Sequence, residues 1–228
     1  MGRTVVKRAA VIVAALCTGF SLGLVALGYT PLLAAICPPC FGFEKAAEGL
    51  YVETRDEGFG DEMARRYARA TQRVEAAMGP IATRPIVLVC LTETCNEVMG
   101  GNKTRAMTYG SRIFYLGPHG HDTDIIAHEL THVVIHQRIG LRALNRFPAW
   151  VNEGIATYVS QDARFDLDPA TCLPSAQSMP ENADAWRSSA GASDGSLYAD
   201  SGCLVARWLS ERPAVGIMDL IAVHAAPE

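Results

Sequence analysis

Residues 124–138 read Asp-Ile-Ile-Ala-His-Glu-Leu-Thr-His-Val-Val-Ile-His-Gln-Arg. Ile125, Ile126, Val133 and Val134 supply the apolar backing of a buried helix, which Gly140 ends. His128 and His132 are four residues apart. On a helix they lie one turn apart on the same face, so both can offer an imidazole nitrogen to one ion. Glu129 is adjacent and within reach of that ion's water. The competing reading is a pair of surface histidines with no metal.

The next informative stretch is Trp150-Val151-Asn152-Glu153-Gly154-Ile155-Ala156, within a second helix expected from near Pro148 to about Gln161. A third His ten residues after the first, preceded by a Gly, would define one class of zinc site. Here Arg138 and Ile135 stand at those positions, which excludes that class. Glu153 is the alternative third ligand. Two His and one Glu leave the fourth position of a single Zn2+ ion open for water, as a catalytic site requires.

Working outward, Pro85–Leu91 reads as a buried strand. Ala106–Tyr109 and Arg112–Leu116 read as a hairpin about Gly110-Ser111. Glu44–Met78 reads as helical, broken near Gly58-Phe59-Gly60, with Asp61 capping the second half and Gly79-Pro80 ending it. Residues 92–102 and 162–195 read as loop. Ser196–Glu211 reads as a last strong helix, stopped by Pro213. Strands first and helices after make the class α+β: a small strand-and-hairpin lobe over a helical core, preceded by an N-terminal transmembrane helix.

The 228 residues suffice for one domain and an appendage. Residues 1–43 carry only Arg3, Lys7 and Arg8, and setting those aside takes the net charge from −4 to −7. So acidic a body has nothing to neutralise phosphates, which argues against nucleic acid as a partner. Arg65, Arg66, Arg69 and Arg73 read as a solvated helix face. Ala9–Thr30 is a nearly continuous apolar run, and a bilayer core needs about 20 such residues. The expected division is a cytoplasmic basic tail (1–8), a transmembrane anchor or uncleaved signal (9–36), a linker (37–43) and an extracytoplasmic domain (44–228). Secretion after cleavage at Ala26-Leu27-Gly28 is the alternative. Cys17 lies in the apolar run. The other six cysteines pair by position as Cys37–Cys40, Cys90–Cys95 and Cys172–Cys203, in keeping with an oxidising compartment.

Taken together, His128–His132 and Trp150–Ala156 resemble the gluzincins, the zinc peptidases of thermolysin and the zinc aminopeptidases, and especially their compact peptidase MA-like domains. The resemblance is strongest over residues 122–160 and extends over roughly 81–210. The family's second motif reads like Trp-Leu-x-Glu-Gly-x-Ala, matched here with Val151 for Leu. The resemblance implies Glu153 as ligand and a zincin-like core under a lobe formed by residues 85–116. It also implies an edge strand that holds extended substrate. Tyr198 matches the downstream donor to the oxyanion; a core aromatic packing with Val205 and Trp208 is the competing reading. Where the family has an Asp that orients the first His, this chain has Thr157, so Asn152 and Thr157 are the candidates for orienting the ligands. The acid of the aminopeptidases' amine-binding stretch is missing from Arg105-Ala106-Met107-Thr108-Tyr109, which shifts the expectation to an endopeptidase.

The expected activity is zinc-dependent peptide-bond hydrolysis with Glu129 as general base, on an exported or membrane-proximal protein. One alternative is a zinc-binding, proteolytically silent domain that binds a partner. Another is a membrane-tethered thiol–disulfide protein using Cys37 and Cys40, although no thioredoxin-like βαβ unit follows them. His136 reads as a packed residue or a neighbour supporting a ligand, rather than a ligand itself; His119 and His121 read as surface loop, with lining of the cleft as the alternative.

Overall fold

The computed structural model describes residues 23, 29–53, 57–101, 104–175 and 178–226. Its helices and strands run in the order α1 (Thr30–Ile36), β1 (Phe43–Ala47), β2 (Leu50–Glu53), α2 (Glu57–Met78), β3 (Ile86–Val89), α3 (Glu93–Val98), β4 (Ala106–Tyr109), β5 (Ile113–Leu116), α4 (Thr123–Ile139), α5 (Leu141–Leu144), α6 (Ala149–Ser160), α7 (Ala183–Ala192), α8 (Ser196–Ser210) and α9 (Ile217–Ala225). A 3-10 turn, Pro38–Phe41, follows α1. The α+β class holds.

The strands form one sheet in the order β1-β2-β3-β5-β4. β1 and β2 are antiparallel, β2, β3 and β5 are parallel, and β4 returns antiparallel along β5. Alternating residues face opposite sides. Leu50, Val52, Val87, Val89, Phe114 and Leu116 join the main core with Met63 and Tyr67 of α2 and Ile126 and Leu130 of α4. Leu88, Tyr115 and Cys90 look the other way and pack with Ala34 and Ala35 of α1. The sheet is therefore covered on both faces, as its parallel centre requires.

Several elements depart from the sequence reading. Glu44–Ala47 and Leu50–Glu53 are strands rather than helix. Lys45, Ala46 and Ala47 favour helix locally, but Gly49 turns the chain at φ +75 and seats Leu50 opposite Val87 and Val52 opposite Val89. Burial on a sheet outweighs intrinsic propensity here. No break occurs at Gly58-Phe59-Gly60: α2 runs through it, and a Cβ on Gly60 would stand 3.6 Å from the Cβ of Ala46. The glycine lets α2 lie close on β1. α3 replaces the expected loop, with the Thr92 hydroxyl accepting from the Cys95 N–H at 3.2 Å. α7 interrupts the 162–195 loop, capped by Asn182, and α9 follows the helix expected to be last.

The arginine face is not wholly solvated. Arg65 and Arg66 pair with Glu62, but Arg73 reaches across to Asp124 at 2.6 Å and to the Ser160 carbonyl. It thereby ties α2 to the first turn of α4 and the last turn of α6, where an acid and a cation respectively suit the helix ends.

Tail residues 1–8 and most of the assigned apolar segment lie outside the described residues. Among the described residues no helix is long and apolar enough to cross a membrane. The last part of that segment is α1, which has Pro31 in its first turn and packs Ala34 and Ala35 on the outer face of the sheet. All three expected cysteine pairs are disulfides. Their Cα–Cα separations are 5.4 Å for Cys37–Cys40, 5.5 Å for Cys90–Cys95 and 5.8 Å for Cys172–Cys203.

Candidate metal centre

α4 is buried on nearly every side and holds Glu129 and His132 among Ile126, Leu130, Val133 and Ile135. α6 lies beside it, from the turn at Pro148 to Gln161. Close packing of α6 on α8 fixes its position. A Cβ on Gly154 would stand 2.6 Å from the Ser201 carbonyl oxygen, and one on Gly202 would stand 3.0 Å from the Thr157 methyl. The residue before Gly154 is Glu153, so this packing sets where its carboxylate points.

Glu153 Oε2 lies 3.3 Å from His128 Nε2 and 3.5 Å from His132 Nε2. The donor atoms of all three residues fall within 4.8 Å of one another, so this group could hold a metal ion. Ligands about 2.0–2.1 Å from a tetrahedral ion are separated by roughly 3.3–3.4 Å. A direct charge-assisted N–H···O bond would close to about 2.7–2.9 Å. The observed spacing suits a shared ion better than a direct ion pair. His128 and Glu153 keep 16% and 18% of their side chains exposed, against 8% for His132, so the opening lies on their side.

Asn152 Oδ1 lies 3.1 Å from His132 Nδ1. An amide oxygen only accepts, so Nδ1 carries a proton and Nε2 is the nitrogen turned to the shared site. Burial alone would raise the Glu153 carboxyl, but the His132 and His128 imidazoles hold it well below the usual carboxylate range. Burial opposes charge on His132 too, but Glu153 outweighs it and lifts the imidazole to about 9. A divalent cation must therefore displace a proton on entering.

Glu129 is 8% exposed. The Thr108 hydroxyl on β4 donates to its Oε2 at 2.6 Å and approaches its carbonyl oxygen at 3.1 Å. Tyr198, in the first turn of α8, sets its ring centroid 6.0 Å from that of His128. It is stacked on Phe165 and edge-on to Trp186, and it packs against the small buried cluster of Ala149, Trp186 and Leu197. Burial, reinforced by Glu153 and Glu129, pushes its phenol up to about 12, so at neutral pH it is a hydrogen-bond donor.

The structure thus brings together His128, Glu129, His132, Asn152, Glu153 and Tyr198. It does not bring in Thr157, whose buried hydroxyl has no hydrogen-bond partner among the described residues. Its methyl packs toward Gly202 instead. His136 stacks on His132 and donates from Nδ1 to the Gly110 carbonyl at 2.7 Å; burial, then His132, lowers it to about 4. His119 pairs with Glu93 on the surface, as expected of a loop. His121 is more integrated: its Nε2 donates to the Cys90 carbonyl at 2.8 Å and its ring meets Phe59. The sequence reading missed Thr108, since nothing in a β-strand's pattern reveals a partner 21 residues away.

Glu53, Cys90 and Cys95 form a second group with ligand-like spacing. Its thiols are spent on a disulfide, and the Glu53 carboxylate accepts from the Leu91 and Thr92 amides and the Thr92 hydroxyl. That is a loop clamp. A cavity of about 370 Å³ at the end of α6 is lined by Arg73, Tyr158, Asp162 and Phe165 and by none of the three metal donors. No family model, curated protein or solved structure matches the chain.

Proposed function

We propose that the chain is a zinc-dependent endopeptidase of the gluzincin type, acting on protein substrates outside the cytoplasm. The observation that carries this reading is the 3.3 and 3.5 Å spacing of Glu153 from two histidines one helical turn apart, with Glu129 between them in sequence. His128, His132 and Glu153 would hold the ion, and two nitrogens with one carboxylate oxygen suit zinc. Bound there, zinc supplies Lewis acidity toward a carbonyl and acidifies water to a pKa of about 7.

The remaining chemistry belongs to the chain. Glu129 takes the proton of the attacking water and passes it to the leaving amine. Tyr198 keeps its proton and donates a hydrogen bond where negative charge develops on the carbonyl oxygen. Among the described residues β4 is the last strand of its sheet, and it runs beside α4, so its outer edge can seat an extended peptide over Glu129. The disulfides favour an oxidising compartment, and the apolar run of residues 9–30 supports a membrane tether.

The test is incubation of the zinc-loaded protein with a proteome-derived peptide library and mass spectrometry of the new termini. Internal cleavages blocked by a chelator are expected. Glu129→Gln should keep the metal and lose hydrolysis; undiminished turnover in that variant overturns the mechanism.

A further inference from the structure

Thr108 is joined to the base by its side chain and to the open strand edge by its backbone. Its hydroxyl carries one proton, which the 2.6 Å bond delivers to Glu129 Oε2. That contact leaves Oε1 as the oxygen free to face water. The Gly117 N–H donates to the Arg105 carbonyl at 2.8 Å, which sets the alternation along β4. In an antiparallel pair the hydrogen-bonded positions are then 105, 107 and 109, and the N–H and C=O of Ala106 and Thr108 turn away from β5. Among the described residues no strand lies beyond β4, so those groups face the open edge.

We propose that Thr108 is a positioning residue for Glu129. Its hydroxyl selects which carboxylate oxygen meets the water and fixes the base relative to the edge on which a peptide is seated. This inference rests on the peptidase reading. Thr108→Val replaces the hydroxyl by a methyl of similar size, and Thr108→Ser keeps the hydroxyl.

The experiment compares both variants with the wild type at equal zinc content, on a quenched-fluorescent peptide built on a cleavage site found for the wild type. T108V is expected to lower kcat by about 10- to 100-fold, the scale of a hydrogen bond to a charged group, with KM within about twofold. T108S restores most of kcat. A second readout needs no activity: the urea midpoint of the metal-free proteins in a cycle of T108V with Glu129→Ala. The midpoint shift from T108V should largely vanish in the E129A background, whereas a residue that only packs β4 would shift both backgrounds equally. Equal shifts, or T108V with wild-type kcat, overturn the positioning role. A wild type without chelator-sensitive cleavage overturns the peptidase reading and takes the catalytic role of Thr108 with it.

Discussion

His132 shows how much one neighbour decides. The Asn152 amide oxygen accepts from Nδ1, so only Nε2 is left to bind an ion. Asn152→Ala should weaken metal binding about 10- to 100-fold, the usual cost of losing a partner that orients a ligand; competition with a chromogenic chelator measures it. Tyr198→Phe keeps the ring against Trp186 and Phe165 and removes the donor. A fall in kcat of about 10²- to 10³-fold with unchanged metal affinity is expected if the phenol meets the oxyanion; an unchanged kcat assigns Tyr198 to packing. His121 carries a pH prediction. Burial lowers its pKa below the ordinary 6.5, against the bond to the Cys90 carbonyl. The unfolded chain therefore takes up its proton first as pH falls, and stability that is full above about 6.5 is lost on acidification. Urea midpoints at pH 7.5 and 5.5 should fall further for the wild type than for His121→Gln. The three grouped donors were legible because a helix fixes the spacing of His128 and His132, and because Glu153 sits in a motif of its own. Thr108 was not, since only the fold of β4 onto α4 brings it to Glu129.

Elements were legible where local signal and tertiary use agree. The β4–β5 hairpin pairs Tyr109 with Ile113 about Gly110, and α4 ends at Gly140, as the sequence indicated. Residues 44–53 misled because Lys45, Ala46 and Ala47 favour helix, whereas the burial of Leu50 and Val52 against β3 is a long-range gain that no local window shows. α3 and α7 were missed because polar, glycine-flanked segments read as loop until Thr92 and Asn182 are seen capping them. The contact of α6 with α8 yields a prediction of its own. Gly154→Ala drives a methyl to within 2.6 Å of a backbone carbonyl, which cannot move without shifting α8. Destabilisation of about 1–3 kcal/mol is expected, and metal affinity should fall with it, since Glu153 moves with Gly154. Thermal melting and metal titration of G154A check both. The Cys172–Cys203 bond pins the 162–175 segment to α8 over a sequence separation of 31. Replacing both cysteines by serine should cost about 3–4 kcal/mol in the chain-entropy account, read as a lowered urea midpoint.

Across the molecule, the site is held by few covalent constraints. α4 carries two of the candidate donors and rests on the sheet through Ile126 and Leu130, whereas α6 carries the third and rests on α8. Arg73 bridges α2, α4 and α6 at one end, and no disulfide spans α4 and α6 among the described residues. An ion bound by His128, His132 and Glu153 would therefore act as a cross-link between the two halves of the core, and its binding energy would add to folding stability by mass action. At a free zinc concentration about a thousandfold above Kd that contribution is about 4 kcal/mol. For a chain of this size it should raise Tm on the order of 10 °C. Calorimetric scans with zinc and with a chelator measure the difference. Glu153→Ala removes one ligand and should bring the two scans nearly together, while Glu129→Gln, which touches no ligand atom, should keep the full difference. Superimposed wild-type scans would show that the three side chains share a site without holding an ion, and the peptidase reading would lose its foundation.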